Sequence, residues 1–543
     1  MPQFEFGLPD VSPVVPLVFV LVCLAGLVAL WMWSRSLGKT APADGLDSWR
    51  LGSRRWAGLA DVRELVGEPG PSTRLRLGWL DGGPRRRVLL RTRREASVLV
   101  CAPSRSGKTH RVIAPQIMEF PGPVLSTSVK ADVFTLTLAA RRRLGKVFLF
   151  DPTGQVSDEM AREQGVVRVR WSPQLGIKDW AGAQRAAATM CKASAGGFTG
   201  VTNGDFWATM AQTVAAPVLW AAALTRTPIT TAARWVLDPA TEAVVEDVLT
   251  RAQGLPGFRD ADKGALTDWH AFMWAEDRNK NSMRLTAKPI MEAWGRAEIA
   301  GSVDVFTEVE TRTILDLDEF LDGSNTLFLV AAEKDQDAFA PIFEAIVNAV
   351  VHLVEDRFQA AARPLDPPLL MSLDEAGNIA AIPDLDKFAS TAAGLGIDLV
   401  TVWQDKAQIV KRYGAPAAAT ILGNHWAHIF LPGIKDPDTL ETISAMVGQD
   451  EREAVQTSWG PDGRASRSVS RHLERVAPPD WIRTRPQNEA IVIAGELPPM
   501  RVTLQGWFDE MGLRELVDPE TAQFFDDRFA PRKKSKRRRR EGQ

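Results

Sequence analysis

VLVCAPSRSGKTHRV, residues 98–112, runs from an apolar strand-like stretch into small polar residues and closes on Gly107-Lys108-Thr109. A buried strand, a short polar turn and a helix-like continuation form the setting in which backbone N–H groups and a helix N-terminus cradle phosphates. In that reading Ser104, Arg105, Ser106, Gly107, Lys108 and Thr109 form a nucleotide-binding loop. Lys108 reaches the β and γ phosphates of ATP, Thr109 ligates Mg²⁺, and Gly107 lets the backbone approach closely. Ala102 stands where such a loop usually begins with glycine. Alanine serves there provided its φ stays negative. The bland alternative is an ordinary strand-to-helix turn.

A nucleotide enzyme of this kind needs a second strand that ends in carboxylates. PPLLMSLDEAGN, residues 367–378, supplies one, with Asp374 and Glu375 directly after an apolar run. Open α/β sheets place their ligands at this C-terminal edge. Asp374 suits the Mg²⁺ shell and Glu375 suits polarisation of the attacking water. A third run, IDLVTVWQ at 397–404, ends in Gln404, an uncharged group able to hydrogen-bond the γ phosphate or its water. Glu375 and Gln404 are the candidate catalytic residues.

Working outward, apolar runs rich in β-branched residues recur at 96–102, 122–129, 146–151, 325–332, 368–374, 397–404 and 426–433, most followed by helix-like segments. This alternation predicts an α/β fold with a largely parallel sheet and helices on both faces. Between about 180 and 310, Ala-rich and Trp-containing stretches replace the strands and predict an inserted all-α domain. Its tryptophans are expected in a core rather than as base-stacking platforms.

The chain has 543 residues, 45% of them hydrophobic and 24% charged, a globular composition with enough length for more than one core. The three cysteines, Cys23, Cys101 and Cys191, form no Cys-x-x-Cys pair, and the six histidines are scattered. Reduced thiols and no structural zinc are expected. The net charge of −2 conceals eight Lys and Arg residues within PRKKSKRRRR, residues 531–540, so the body is acidic. Nucleic-acid contact by the body therefore requires a local basic surface. The tail could bind an anionic bilayer, DNA phosphates or an acidic partner.

Val14–Trp33 is apolar and uncharged, about the length that crosses a bilayer. Glu5 and Asp10 precede it, while Arg35 and Lys39 follow. That order is inverted for a cleaved signal peptide and predicts a single transmembrane helix with the N-terminus outside and the bulk of the chain cytoplasmic. The expected organisation is a membrane anchor at 1–40, nucleotide-binding segments at 41–180 and 311–510 flanking an all-α domain at 181–310, and a C-terminal segment at 511–543 with a basic tail.

The joint order of these motifs resembles the coupling proteins of conjugation and type IV secretion, of the TraG/TraD type. The resemblance spans roughly residues 45–510. It is carried by LGSRRWAGLADVREL at 51–65, the loop at 98–112, STSVKADVFTLTLAARRRLGKVFLFDPTG at 126–154, VRWSPQ at 169–174, DFWATMA at 205–211, LDEAGNIAAIPDLDKF at 373–388, GLGIDLVTVWQDKAQIVKRYG at 394–414 and EAIVIAGELPPMRV at 489–502. It implies a RecA-like P-loop NTPase domain carrying the all-α domain, and a homo-hexameric ring. Such a ring receives relaxase-bound single-stranded DNA or secreted proteins and passes them to secretion-channel components at the membrane lipids. The chain departs from that pattern in showing one N-terminal span, in Ala102, and in lacking an arginine ahead of the Gln404 strand, where Ala392, Ala393 and Gly394 stand. Arg412 is a candidate for the arginine that acts on a neighbouring subunit's site. Two other readings share these residues: an FtsK-type double-stranded DNA translocase, and a receptor that binds nucleotide only to stabilise an oligomer.

Overall fold

The computed structural model describes residues 56–81, 87–193, 204–254, 259–309, 311–378, 382, 384–459 and 465–529. The apolar run at 14–33 and the basic tail lie outside the described residues.

Sixteen strands follow one another along the described chain: β1 Val66–Gly67, β2 Arg76–Asp81, β3 Arg87–Arg91, β4 Val98–Cys101, β5 Val124–Ser128, β6 Val147–Phe150, β7 Val167–Arg170, β8 Thr313–Ile314, β9 Thr326–Val330, β10 Leu369–Leu373, β11 Ile397–Trp403, β12 Ala427–Phe430, β13 Gln449–Trp459, β14 Ala465–Arg475, β15 Glu489–Ala494 and β16 Met500–Thr503. All but β13 and β14 join one sheet, in the order β1-β3-β2-β16-β15-β12-β4-β11-β10-β5-β9-β6-β7-β8. From β12 to β8 every pairing is parallel. From β12 outward through β15, β16, β2 and β3 to β1 every pairing is antiparallel. The sheet is therefore mixed: most of its pairings are parallel, as expected, and the antiparallel flank from β15 to β1 is an addition that the apolar runs did not signal. The seven apolar runs all form strands of the parallel part, because strands covered on both faces read as continuous hydrophobic stretches. Val98, Val100, Val124, Leu370, Val400, Val402 and Ile429 lie in one buried cluster across that part.

β4 leads into the polar loop, β10 leads directly into Asp374, and β11 lies between them, paired with both in parallel register. Val100 is level with Val402, and Leu373 with Thr401, so the three strands end at one edge. That arrangement brings the three sequence motifs together.

Between β7 and β8 the described elements are all helices, the longer ones at Trp180–Ala193, Gly204–Thr225, Glu242–Ala252, Gly264–Met273 and Asp277–Trp294. Trp220, Trp235, Trp269 and Trp294 are buried there, as expected of core residues. Trp274 differs: it is 77% exposed, with its ring stacked on His270 at 4.2 Å. Among the described residues two helices, Phe206–Thr225 and Ala338–Ala361, are long and apolar enough to cross a membrane. Ile342, Phe343, Ile346, Val350 and Val354 recur at helical spacing on the second and are all buried within the fold.

Residues 448–476 belong to a separate unit. Within it β13 and β14 form an antiparallel hairpin in unbroken register from Gln449↔Arg475 to Trp459↔Ala465.

Candidate nucleotide site

β4 is apolar because it is buried on both faces, and it must release the chain at the sheet edge to turn into a helix. Ala102 makes that exit fully buried, its N–H donating to the Trp403 carbonyl at 2.8 Å. The positive φ values fall at Arg105 (64°) and Gly107 (85°) and not at Ala102. Alanine thus meets its backbone requirement, and the glycine that needs its freedom is Gly107. A Cβ there would also stand 3.2 Å from the Arg111 Nε. The helix begins with a π-type turn at Thr109–Ile113 and continues as Ala114–Glu119.

Lys108 projects from this turn toward β10. Its Nζ lies 2.5 Å from Glu375 Oε1 and 3.1 Å from Asp374 Oδ1. Burial alone would pull the ammonium's pKa down, but the two carboxylates outweigh it and hold Lys108 above the ordinary lysine range. Asp374 is buried, which pushes its pKa up against the pull of Lys108. Its backbone carbonyl accepts from Thr127 Oγ1 of β5 at 3.1 Å, fixing the end of the strand.

Glu375 adopts a left-handed backbone (φ 52°), uncommon for a residue with a side chain and frequent at functional sites. The turn is closed by Asn378 N–H donating to the Glu375 carbonyl at 2.8 Å. Glu375 Oε2 accepts from Gln404 Nε2 and from Asn378 Nδ2, each at 3.3 Å. Gln408 completes the group: its Oε1 accepts from Gln404 N–H at 2.9 Å, and its Nε2 donates to Asn378 Oδ1 at 3.2 Å. Asn378 and Gln408 were missed by the sequence reading. Asn378 follows Glu375 by three residues inside a quoted motif, which was the available signal; Gln408 gave none, since only the helix after β11 brings it back.

Lys108, Asp374, Glu375 and Gln404 are thus brought together. Ser104, Arg105 and Ser106 face a cleft of about 390 Å³ whose other wall includes Gln404, Lys435 and Arg483. Ser106 Oγ is buried without a hydrogen-bond partner in the described structure. Such a donor, the cradle at Gly107 and the hard oxygen donors of Thr109 and Asp374 fit a nucleotide phosphate and Mg²⁺. Arg412 lies elsewhere, its Nη2 donating to Glu344 Oε1 at 2.6 Å within the same chain.

The strand order with β11 between the loop strand and the carboxylate strand defines a RecA-like P-loop fold bearing a helical domain. The family described as Type IV secretory system Conjugative DNA transfer matches residues 62–541, and the chain belongs to that family. The conjugal transfer protein TraG of Rhizobium radiobacter is 25% identical over 222 residues, 40% of this chain and 33% of TraG. VirD4 of Agrobacterium fabrum is 22% identical over 498 residues, 86% of this chain and 67% of VirD4. The chain thus matches only about a third of the length of TraG. Among solved structures, the bacterial conjugative coupling protein TrwB in its unbound form superposes with a TM-score of 0.58 at 16% identity, covering 83% of this chain and 92% of that one. TrwB in complex with ADP and Mg²⁺ gives a TM-score of 0.56 at 16% identity, covering 83% and 93%.

Proposed function

We propose that this protein is a membrane-anchored ATPase coupling protein that recruits DNA-relaxase or protein substrates and drives them into a type IV secretion channel. The carrying observation is the contact of Lys108 with both Asp374 and Glu375 at a shared strand edge, with Gln404 on the same glutamate. Family membership and the nucleotide complexes of TrwB support the same reading.

Ser104, Arg105, Ser106 and Gly107 enclose the phosphates, and Lys108 transfers its charge from the carboxylates to the β and γ phosphates. Thr109 and Asp374 hold Mg²⁺, which when bound offsets phosphate charge. Glu375, relieved of Lys108, orients the attacking water and draws on its proton, and Gln404 links that carboxylate to the end of β11. The cleft beyond Ser104 takes the nucleoside. A homo-hexamer, the N-out single span at 14–33 and binding to channel components and lipids belong to the same proposal.

The test is phosphate release from Mg-ATP by a soluble form lacking residues 1–40, with and without single-stranded DNA. Hydrolysis that disappears in Lys108→Ala supports the reading. A wild-type protein that binds Mg-ATP but releases no phosphate in either condition makes it a nucleotide-stabilised receptor instead.

A further inference from the structure

The turn that carries Lys108 and Thr109 has a backbone problem that its own sequence creates. Ala114 N–H donates to the Thr109 carbonyl, an i to i+5 bond that widens the turn. The next bond of that pattern would run from residue 115 to the His110 carbonyl, and residue 115 is proline, which has no N–H. His110 is half-buried, so its carbonyl gains from a donor supplied elsewhere. It comes from Trp507, whose backbone N–H reaches the His110 carbonyl at 3.1 Å. The same residue holds the side chain, its indole Nε1 donating to His110 Nδ1 at 3.1 Å across a sequence separation of 397.

The surrounding contacts repeat the theme. Arg111, whose side chain packs on Gly107, donates from Nη1 to the Leu504 carbonyl at 2.7 Å and lies 3.6 Å from Asp509. Phe525 stands edge-on to the His110 ring at 5.1 Å. Trp507 itself is fully buried against Ala114, Met118, Leu136 and Leu513. Both residues that follow Thr109 are thus held by the chain at 504–525.

We propose that Trp507 is a positioning residue for the nucleotide loop. By satisfying the His110 carbonyl and ring it fixes the turn that presents Lys108 and Thr109, so packing of residues 504–525 and binding of the triphosphate are thermodynamically linked. The proposal rests on the reading that this loop binds Mg-ATP.

The experiment uses the full chain, with Trp507→Phe, which keeps the ring and the backbone N–H but loses the indole donor, and Trp507→Ala. Binding of a fluorescent ATP analogue with Mg²⁺ should weaken about fivefold in Trp507→Phe, the effect of one lost hydrogen bond, and more in Trp507→Ala. At saturating ATP the turnover of Trp507→Phe should stay within a few-fold of wild type, a KM effect that loss of folded protein alone does not produce. In the wild type, Mg-ATP should also slow amide hydrogen exchange at 504–525, and Trp507→Ala should lose that protection. If the wild type binds no Mg-ATP, the nucleotide reading fails and the proposal with it. Wild-type binding with unchanged affinity in folded variants overturns the proposal alone. Should the variants not fold, absence of nucleotide-dependent protection at 504–525 in the wild type overturns it.

Discussion

Lys108 Nζ and Glu375 Oε1 stand 2.5 Å apart, although 267 residues separate them in sequence. One ammonium contacts two buried carboxylates, Asp374 and Glu375, at the end of a strand two places away in the sheet. The two ends of this contact have different tasks in the proposed reaction, and substitutions separate them. Lys108→Ala should abolish ATP binding and hydrolysis together and also lower stability, because it leaves two carboxylates without their cation. Glu375→Gln should spare binding and reduce turnover by about 10² to 10⁴. Isothermal titration and single-turnover hydrolysis check both. Transfer at a normal rate by Glu375→Gln protein shown not to hydrolyse ATP would defeat the motor reading.

The glycine requirement of the loop is predicted to sit at one position. Gly107→Ala forces a side chain into φ 85° and against Arg111, and should cost about 1 kcal/mol or more together with nucleotide affinity. Ala102→Gly restores the usual first glycine, yet should gain no affinity and lose about 0.5–1 kcal/mol, since it only loosens the unfolded chain. Denaturation midpoints and binding constants for the pair provide the check.

Asp398, buried near the start of β11, has its pKa pushed up to about 7 by desolvation, with the Ala96 N–H opposing and Glu95 adding to the shift. A carboxyl raised in the folded state keeps its proton there longer, so stability falls as pH rises from about 4 to about 7. Asp398→Asn should therefore stabilise the protein at pH 8, by up to the order of 4 kcal/mol, and change little at pH 4. His425, lowered to about 4 by burial, contributes with the opposite sign as pH falls below the ordinary histidine range. The difference between variant and wild type in urea unfolding across pH isolates Asp398; a flat difference would refute the assignment.

Arg412 pairs with buried Glu344 in its own subunit. Arg412→Ala should lower the melting temperature, as loss of one partner of a buried pair does, while the folded fraction keeps turnover within a few-fold. A turnover loss beyond 10² with intact ATP binding would instead mark it as the arginine acting between subunits.

Deleting residues 532–543 should weaken binding to DNA or anionic vesicles at low salt and flatten its salt dependence, since it removes eight cations. ATP affinity should be unchanged. Sequence distance alone does not justify that second expectation, because residues 504–525 pack on the loop; the deletion spares it by stopping short of them.

The parallel half of the sheet was legible because double burial makes each strand a continuous apolar run, from 96–102 through 426–433. The short, partly exposed antiparallel strands were not: β3 begins at the exposed Arg87 and β16 alternates buried with exposed residues over only Met500–Thr503. At the site, Lys108, Asp374, Glu375 and Gln404 could be read because strand ends advertise themselves. Gln408 and Trp507 could not, since each matters only through where a distant segment returns, whereas Asn378 was within reach three residues after Glu375.

The pairing of β2 with β16 has a consequence for how the molecule is made. Trp79 is level with Thr503, and Arg76 and Trp79 both bond Glu510, so the first long strand of the sheet finds its neighbour more than four hundred residues later. During synthesis the ribosome delivers β2 and β3 early and β16 almost last. Until then this hairpin offers an unpaired edge, the surface on which strands from other nascent chains add. Contacts of such separation are slow to form and leave incomplete chains prone to aggregation. Chains truncated between residues 376 and 500 should therefore depend on chaperones even though the nucleotide loop and both carboxylates are already present in them.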